Sequence, residues 1–300
     1  MLVTLNEIMA LAVDRDCGIG AFNTPNLECL NAVLDAAEAL NVPVIISHAE
    51  LHEPVSPLAV IGPVMVEAAK KAKVPVCVHL DHCETLSYME DALKMGFTGV
   101  MYDGSALGYE ENVANTRLAV AMARQYGANV EAEIGTLPSR EDGGATAAGP
   151  VYTDPDLAVR FCAETGIDAL APSFGTAHGI YKAKPVLDLD RVKVISEQTG
   201  LPLVMHGGSG VSDEDYRTAI HNGIRCTCNQ IVVQIFICFR IQIASVLRIG
   251  KHCRTLGRQE NSITLRGQQY RHRNLQVRLM QVLRRSAQIP HTLFCLAKTK

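Results

Sequence analysis

The chain has 300 residues, of which 48% are apolar and 20% charged, with a formal net charge of -3. There is enough apolar material for a core, and no global excess of positive charge of the kind that marks a nucleic-acid-binding protein. No uncharged apolar run reaches the roughly 18 residues of a membrane span, and Glu7 interrupts the first twelve residues where a signal peptide needs a basic start and a clean apolar stretch, so a cytoplasmic protein without membrane contact is expected.

Short β-branched runs then alternate with segments of helical period, each run ending in small or polar residues, which is the βαβα pattern of a parallel sheet. The first strand is predicted over 18–23 and a helix over 24–40, opened by Thr24 ahead of Pro25. A second strand follows over 43–48 and a third over 74–82, with a helix over 84–95 that stops at Gly96. Strand four, 99–105, leads into a helix over 109–126. Strand five, 129–137, leads into a glycine- and alanine-rich loop over 138–149 that reads as a mobile flap. The next helix, 154–164, is announced by Thr153, Asp154 and Pro155 and ended by Gly166. Strands six and seven fall at 168–178 and 201–209, and a helix over 212–222 begins at Ser212 with Asp213, Glu214 and Asp215 behind it. Seven such units, with no glycine-rich dinucleotide fingerprint after the first strand, predict an α/β protein of the TIM (β/α)8 barrel type rather than a doubly wound sheet.

An eighth strand should begin near 223–225, and there the texture changes. From Cys226 onward there is no Asp, Glu260 is the only acid, and thirteen Lys or Arg are scattered among glutamines and cysteines. The expectation is a barrel over 1–225 and an aberrant basic tail over 226–300, out-of-frame or disordered, with the eighth strand and the terminal helices in doubt. A barrel broken off there would expose two unpaired edges. The basic residues form no stripe, so a nucleic-acid arm is the weaker reading. The cysteines elsewhere lie singly among apolar residues, as Cys29, Cys77 and Cys162 do, which suits reduced thiols. Cys226 and Cys228, a close pair, lack zinc-ribbon spacing, and no metal is expected there.

The C-terminal ends of the strands in a parallel barrel converge on one face, and here those ends are rich in reactive groups. Strand three ends His79-Leu-Asp81-His82, strand six ends at His178-Gly179, and strand seven runs into His206-Gly-Gly-Ser209-Gly210. Three histidines on one rim can supply a zinc site with an open position. His79 shares its side of the strand with Asp81 while His82 points the other way, and periodicity does not decide which histidine reaches the rim. Asp103, Glu131 and Glu133 add carboxylates at other strand ends, and Glu141 and Asp142 add two more in the flap. Gly207-Gly208-Ser209-Gly210, followed by a helix, offers backbone N–H groups and a helix N-terminus to an anion, favouring a phosphorylated substrate.

The motifs Val78-His-Leu-Asp-His82, Tyr102-Asp-Gly-Ser105, Glu131-Ala-Glu-Ile-Gly135, Gly175-Thr-Ala-His-Gly179 and His206-Gly-Gly-Ser209 together resemble the class II aldolase family, and within it the ketose-bisphosphate aldolases. The resemblance runs from about Leu5 to Arg225. It implies a catalytic zinc on His82, His178 and His206, and a second divalent or monovalent cation near Asp103 and Glu133. It further implies that Asp81 serves as acid/base, that Glu141 exchanges a proton with dihydroxyacetone phosphate, and that Ser47, Gly179, Gly207, Gly208 and Ser209 contact substrate. The implied activity is zinc-dependent cleavage and condensation of fructose or tagatose 1,6-bisphosphate, a phosphorylated sugar, by a homodimer or homotetramer. A catalytically inactive barrel that keeps zinc or phosphate binding is the alternative. The family continues after Gly-Ile-Arg with a Lys-Ile-Asn-Val-Asn-Thr strand, where this chain has Cys226-Thr-Cys-Asn229-Gln230, and no role is carried over to Asn229.

Overall fold

The computed structural model describes residues 1–135, 152–177, 185–208 and 211–229, with Asn229 described by its backbone alone. Among them are eight strands that form one closed barrel, each parallel to its neighbours, in the order of the chain. Helix α1 (Leu5–Asp14) precedes β1 (Ile19–Asn23). Then come α2 (Leu27–Leu40), β2 (Val44–Ala49), α3 (Leu58–Lys71), β3 (Val76–Cys83), α4 (Leu86–Met95), β4 (Gly99–Tyr102), α5 (Tyr109–Gln125) and β5 (Asn129–Ile134). The rest are α6 (Pro155–Thr165), β6 (Ala169–Pro172), α7 (Leu189–Thr199), β7 (Leu203–Met205), α8 (Asp213–His221) and β8 (Ile224–Asn229). None of these helices is long and apolar enough to cross a membrane.

The helix boundaries follow from local chemistry. Ser212 and Asp154 cap α8 and α6 through their side chains, and Gly96 and Gly166 end α4 and α6 in the left-handed region, as the sequence predicts. The start of α2 differs from expectation. Its cap is Asn26, which accepts from the N–H of Cys29 at 2.8 Å, so the helix begins three residues after the predicted position.

The eighth strand is present, and the barrel does not break off at residue 225. Ile19, Gly20, Ala21 and Phe22 of β1 pair with Cys226, Thr227, Cys228 and Asn229, and Val204 and Met205 of β7 pair with Cys226 and Thr227 on the other side. The predicted open edges are therefore closed. The reason lies in side-chain size and shape: Cys226 is 1% and Thr227 0% exposed, a small apolar thiol inside and a β-branched residue outside, both suited to a strand buried on two faces. The strand thus runs four residues beyond the expected limit of the barrel at 225. Cys29, Cys77, Cys83, Cys162, Cys226 and Cys228 are free thiols, and Cys17 departs from the expected reduced state in being disulfide-bonded.

Two apolar layers hold the barrel. Outside it, the strands pack on the surrounding helices through residues such as Phe97, Phe161, Val130 and Leu170. Inside, Ile19, Ala21, Ile45, Cys77, Met101, Val204 and Cys226 form a second cluster. Helix α1 closes the N-terminal end, burying Leu5, Ile8, Met9 and Ala12 at helical spacing against that interior. Along the inward face of β1, β2 and β3 the side chains turn from apolar to polar toward the C-terminal end: Ile19, Ala21, Asn23 on β1; Ile45, Ser47 on β2; Cys77, His79, Asp81 on β3. The register sets these ends level, with Asn23 opposite Ser47, Ser47 opposite His79, and Ala49 opposite Asp81.

Candidate active site

Alternation alone would send His82 away from the barrel mouth, and the backbone overrides it. His82 has φ of 43°, in the left-handed region, and the pairing of β3 with β4 shifts register between Leu80 and Cys83. For a residue with a Cβ this conformation costs on the order of 1–2 kcal/mol, so the site holds local strain. The turn brings the His82 ring to 4.4 Å from the His206 ring, edge to face. His79 and Asp81, which share the inward side, and His82, which does not, thus all reach the same mouth.

Each rim histidine is oriented by a carboxylate. His82 Nδ1 lies 2.7 Å from Asp103 Oδ2, and Asp103 Oδ1 in turn accepts from the N–H and hydroxyl of Ser105 at 3.1 and 2.7 Å. His206 Nε2 lies 2.7 Å from Glu131 Oε1, while Glu131 Oε2 is 3.4 Å from His79 Nε2. Such outer carboxylates fix which ring nitrogen carries the proton. Asp81 is anchored from β1, two strands away around the barrel, its Oδ2 accepting from Asn23 Nδ2 at 2.8 Å. Its Oδ1 is 4.0 Å from His82 Nε2 and 3.9 Å from His206 Nδ1.

Ligand atoms of His82, Glu133 and His206 lie within 4.8 Å of one another. Glu133 is 2% exposed, and its Oε2 has no hydrogen-bond partner among the described residues. Burial, and then the Asp103 charge, push its carboxyl up to about 7. Burial opposes a charge on His82 as well, but Asp81 and the hydrogen bond to Asp103 outweigh it and lift the imidazole to about 10. Burial likewise works against ionising Asp81, yet His82, His206 and the Asn23 amide hold its carboxyl below the usual range. His79 goes the other way: burial lowers it, so it stays neutral beside Glu131. The cluster contains more carboxylates than imidazoles, and among the described residues no lysine or arginine is ion-paired with them. A buried, unsatisfied carboxylate oxygen between two imidazoles in an anionic cavity fits a divalent cation with nitrogen and oxygen ligands, zinc included.

The glycine loop after β7 has its own constraint. Gly207 has φ of 67°, and a Cβ there would stand 2.5 Å from the carbonyl oxygen of Ala177. Gly208 accepts at its carbonyl from the Tyr216 hydroxyl at 2.7 Å. The N-terminus of α8 is already occupied: Ser212 caps it and Asp213, Glu214 and Asp215 fill its first turn. The backbone of the glycine loop, rather than that helix end, is the part suited to an anion.

Of the residues singled out from the sequence, Ser47, Asp81, His82, Asp103, Glu133, His206, Gly207 and Gly208 stand together at the C-terminal mouth of the barrel. Glu141, His178, Gly179 and Ser209 lie outside the described residues. Two members of the constellation were not singled out as site residues. Asn23 ends the predicted first strand, and the rule that polar strand ends line the mouth would have found it. Cys228 stands inside the barrel on β8, with Sγ 3.9 Å from His206 Nε2. Read straight on from Arg225, it occupies the place of the first asparagine in the Lys-Ile-Asn strand.

Residues 3–231 match the family model described as fructose-bisphosphate aldolase class-II. The chain is 40% identical over 224 residues to the 6-phospho-5-dehydro-2-deoxy-D-gluconate aldolase of Halalkalibacterium halodurans, covering 73% of this chain and 76% of that protein. It is 39% identical over 227 residues to a probable fructose-bisphosphate aldolase of Bacillus subtilis, covering 74% and 79% of the two. Among solved structures, the YdjI aldolase of Escherichia coli K12 superposes with a TM-score of 0.77 at 30% identity, over 97% of this chain and 98% of that one.

Proposed function

Because the chain belongs to the class II fructose-bisphosphate aldolase family, we propose that it is a zinc-dependent aldolase that reversibly cleaves fructose or tagatose 1,6-bisphosphate to dihydroxyacetone phosphate and glyceraldehyde 3-phosphate. The observation that carries this reading is the anchored Asp81 carboxylate facing His82 and His206 at the mouth of the barrel, beside the unsatisfied oxygen of Glu133. His82, His206 and His178 would hold the ion, with Glu133 as a further oxygen donor. When bound, zinc supplies Lewis acidity that offsets negative charge developing on the ketone side of the breaking bond.

The chain's own residues do the rest. Asp81, kept ionised by its imidazole neighbours and aimed by Asn23, takes the C4 hydroxyl proton as the C3–C4 bond breaks. In the reverse direction it returns that proton to the aldehyde oxygen. Asp103 has both oxygens engaged and acts by holding the His82 ring, and Glu131 does the same for His206. Glu141 is assigned the proton transfer at the carbon of dihydroxyacetone phosphate, on the family resemblance alone. The N–H groups of Gly207 and Gly208, with Gly179 and Ser209, are assigned to a substrate phosphate, and Ser47 to the aldehyde half. Phosphate anchoring fixes the carbon chain against Asp81 and supplies the orientation term.

The test is release of triose phosphate from fructose and tagatose 1,6-bisphosphate by the zinc-loaded chain, with and without a chelator. The 6-phospho-5-dehydro-2-deoxy-D-gluconate named for one relative is assayed beside them. Chelator-sensitive turnover of a bisphosphate is expected. Soluble, zinc-loaded protein that turns over neither bisphosphate would overturn the proposal.

A further inference from the structure

The inward face of β8 carries a group that the proposed chemistry does not use. Asp81, His206 and Cys228 each bring a ligand atom within 4.8 Å of the others, a second potential metal-binding set that shares His206 with the first. Both partners of the thiol are deeply buried, Asp81 at 4% and His206 at 2% exposure. Cys226, two residues earlier on the same face, belongs instead to the apolar cluster at the floor of the barrel and is 1% exposed. Cys228 also packs against that cluster, but of the two thiols it is the one that stands within reach of metal-binding groups.

We propose that Cys228 is a thiolate ligand of the metal centre, forming with His206 and Asp81 a second, softer seat for the ion beside the one built from His82, Glu133 and His206. This rests on the metal-dependent reading above and adds to it a sulfur donor. Thiolate favours thiophilic ions such as zinc, cobalt(II) and cadmium over magnesium or calcium, which prefer all-oxygen sites. On binding, the metal takes the place of the thiol proton, which leaves to solvent, so the step balances without an oxidant or reductant. Asp81 bound in the second seat cannot act as the proton acceptor, so an ion held there is catalytically idle.

The test uses cobalt(II) in the full chain, because sulfur-to-cobalt charge transfer gives a near-ultraviolet band distinct from the visible bands of nitrogen and oxygen ligation. The wild-type chain and Cys226→Ser are expected to show the charge-transfer band. Cys228→Ser is expected to lose it while keeping the visible bands, since His82, Glu133 and His206 remain. A loaded wild-type chain without the band, or a band that survives in Cys228→Ser, would overturn the sulfur ligand alone. A chain that takes up no cobalt at all would overturn both this proposal and the metal-dependent reading beneath it.

Discussion

His48 offers a test of how burial and one hydrogen bond set the pH dependence of stability. It lies on β2 next to Ser47, is fully buried, and points away from the barrel interior. Its Nε2 is 3.1 Å from the Tyr88 hydroxyl, which itself donates to Glu53 Oε2 at 2.7 Å. The hydroxyl proton is thus committed to Glu53, so Nε2 must donate to the tyrosine oxygen, and Nδ1 is left without a partner among the described residues. Protonation would place a charge on Nδ1 with no acceptor. Burial, with His52 adding to it and Glu53 and Asp81 opposing, lowers the imidazole from 6.5 to about 4. Between those values the unfolded chain binds the proton and the folded chain does not, so stability present above pH 6.5 is lost as the pH falls toward 4. About 2.5 units of difference at 1.36 kcal/mol each amounts to about 3 kcal/mol. His48→Gln keeps an N–H donor near the Tyr88 hydroxyl and cannot take up charge. Urea unfolding of both proteins near pH 7 and near pH 4.5 should show the wild type losing roughly 2–3 kcal/mol more than the variant. Subtracting the variant removes the other groups that titrate in the same range. Parallel pH profiles would refute the reasoning, because they would mean that His48 takes up its proton as readily in the folded chain as in the unfolded one.

Three further outcomes follow from the site. Asp81→Asn should keep its zinc content and lower kcat by roughly 10²–10⁴-fold with little change in KM, measured by steady-state cleavage of the preferred bisphosphate; near wild-type kcat would remove Asp81 from the proton transfer. Asp103→Asn should weaken metal affinity about 10- to 100-fold in competition with a chromogenic chelator, since the acceptor that sets the His82 ring is lost; unchanged affinity would show that the ring needs no such partner. Gly207→Ala should cost more than the roughly 1–2 kcal/mol of a left-handed residue, because its Cβ would also press on the Ala177 carbonyl oxygen. Urea unfolding checks this, and a loss below about 1 kcal/mol would mean that the loop relaxes freely.

The barrel was legible because its pattern is local: strands and helices alternate, caps such as Ser212 and stops such as Gly166 are spelled out, and the strand runs are apolar and end in polar residues. Strand ends were less legible. The predicted runs 129–137, 168–178 and 201–209 all extend past the ends of β5, β6 and β7. His82 is the sharpest case. Side-chain alternation places it on the wrong face, and only a positive φ together with a register shift against β4 turns it to the mouth, a tertiary feature that no two-residue period encodes. Its place at the mouth was expected only through the family resemblance of the five motifs.

The eighth strand shows the opposite error, in which composition outweighed geometry. Scattered basic residues and cysteines after 225 read as foreign to a barrel, yet closure asks little of the last strand: small or β-branched side chains at alternate positions, and backbone free to pair on both edges. Cys226, Thr227 and Cys228 meet that requirement as well as the family's Lys-Ile-Asn would. What they do not reproduce is the chemistry of the third position. An asparagine amide there can donate and accept hydrogen bonds but is a poor metal ligand, whereas a thiol there faces His206 and Asp81 with the capacity to bind the ion. On the proposal above, the same three residues close the barrel while Cys228 adds a sulfur donor at its mouth, so closure of the fold and the chemistry of the mouth are set by different side chains of one strand.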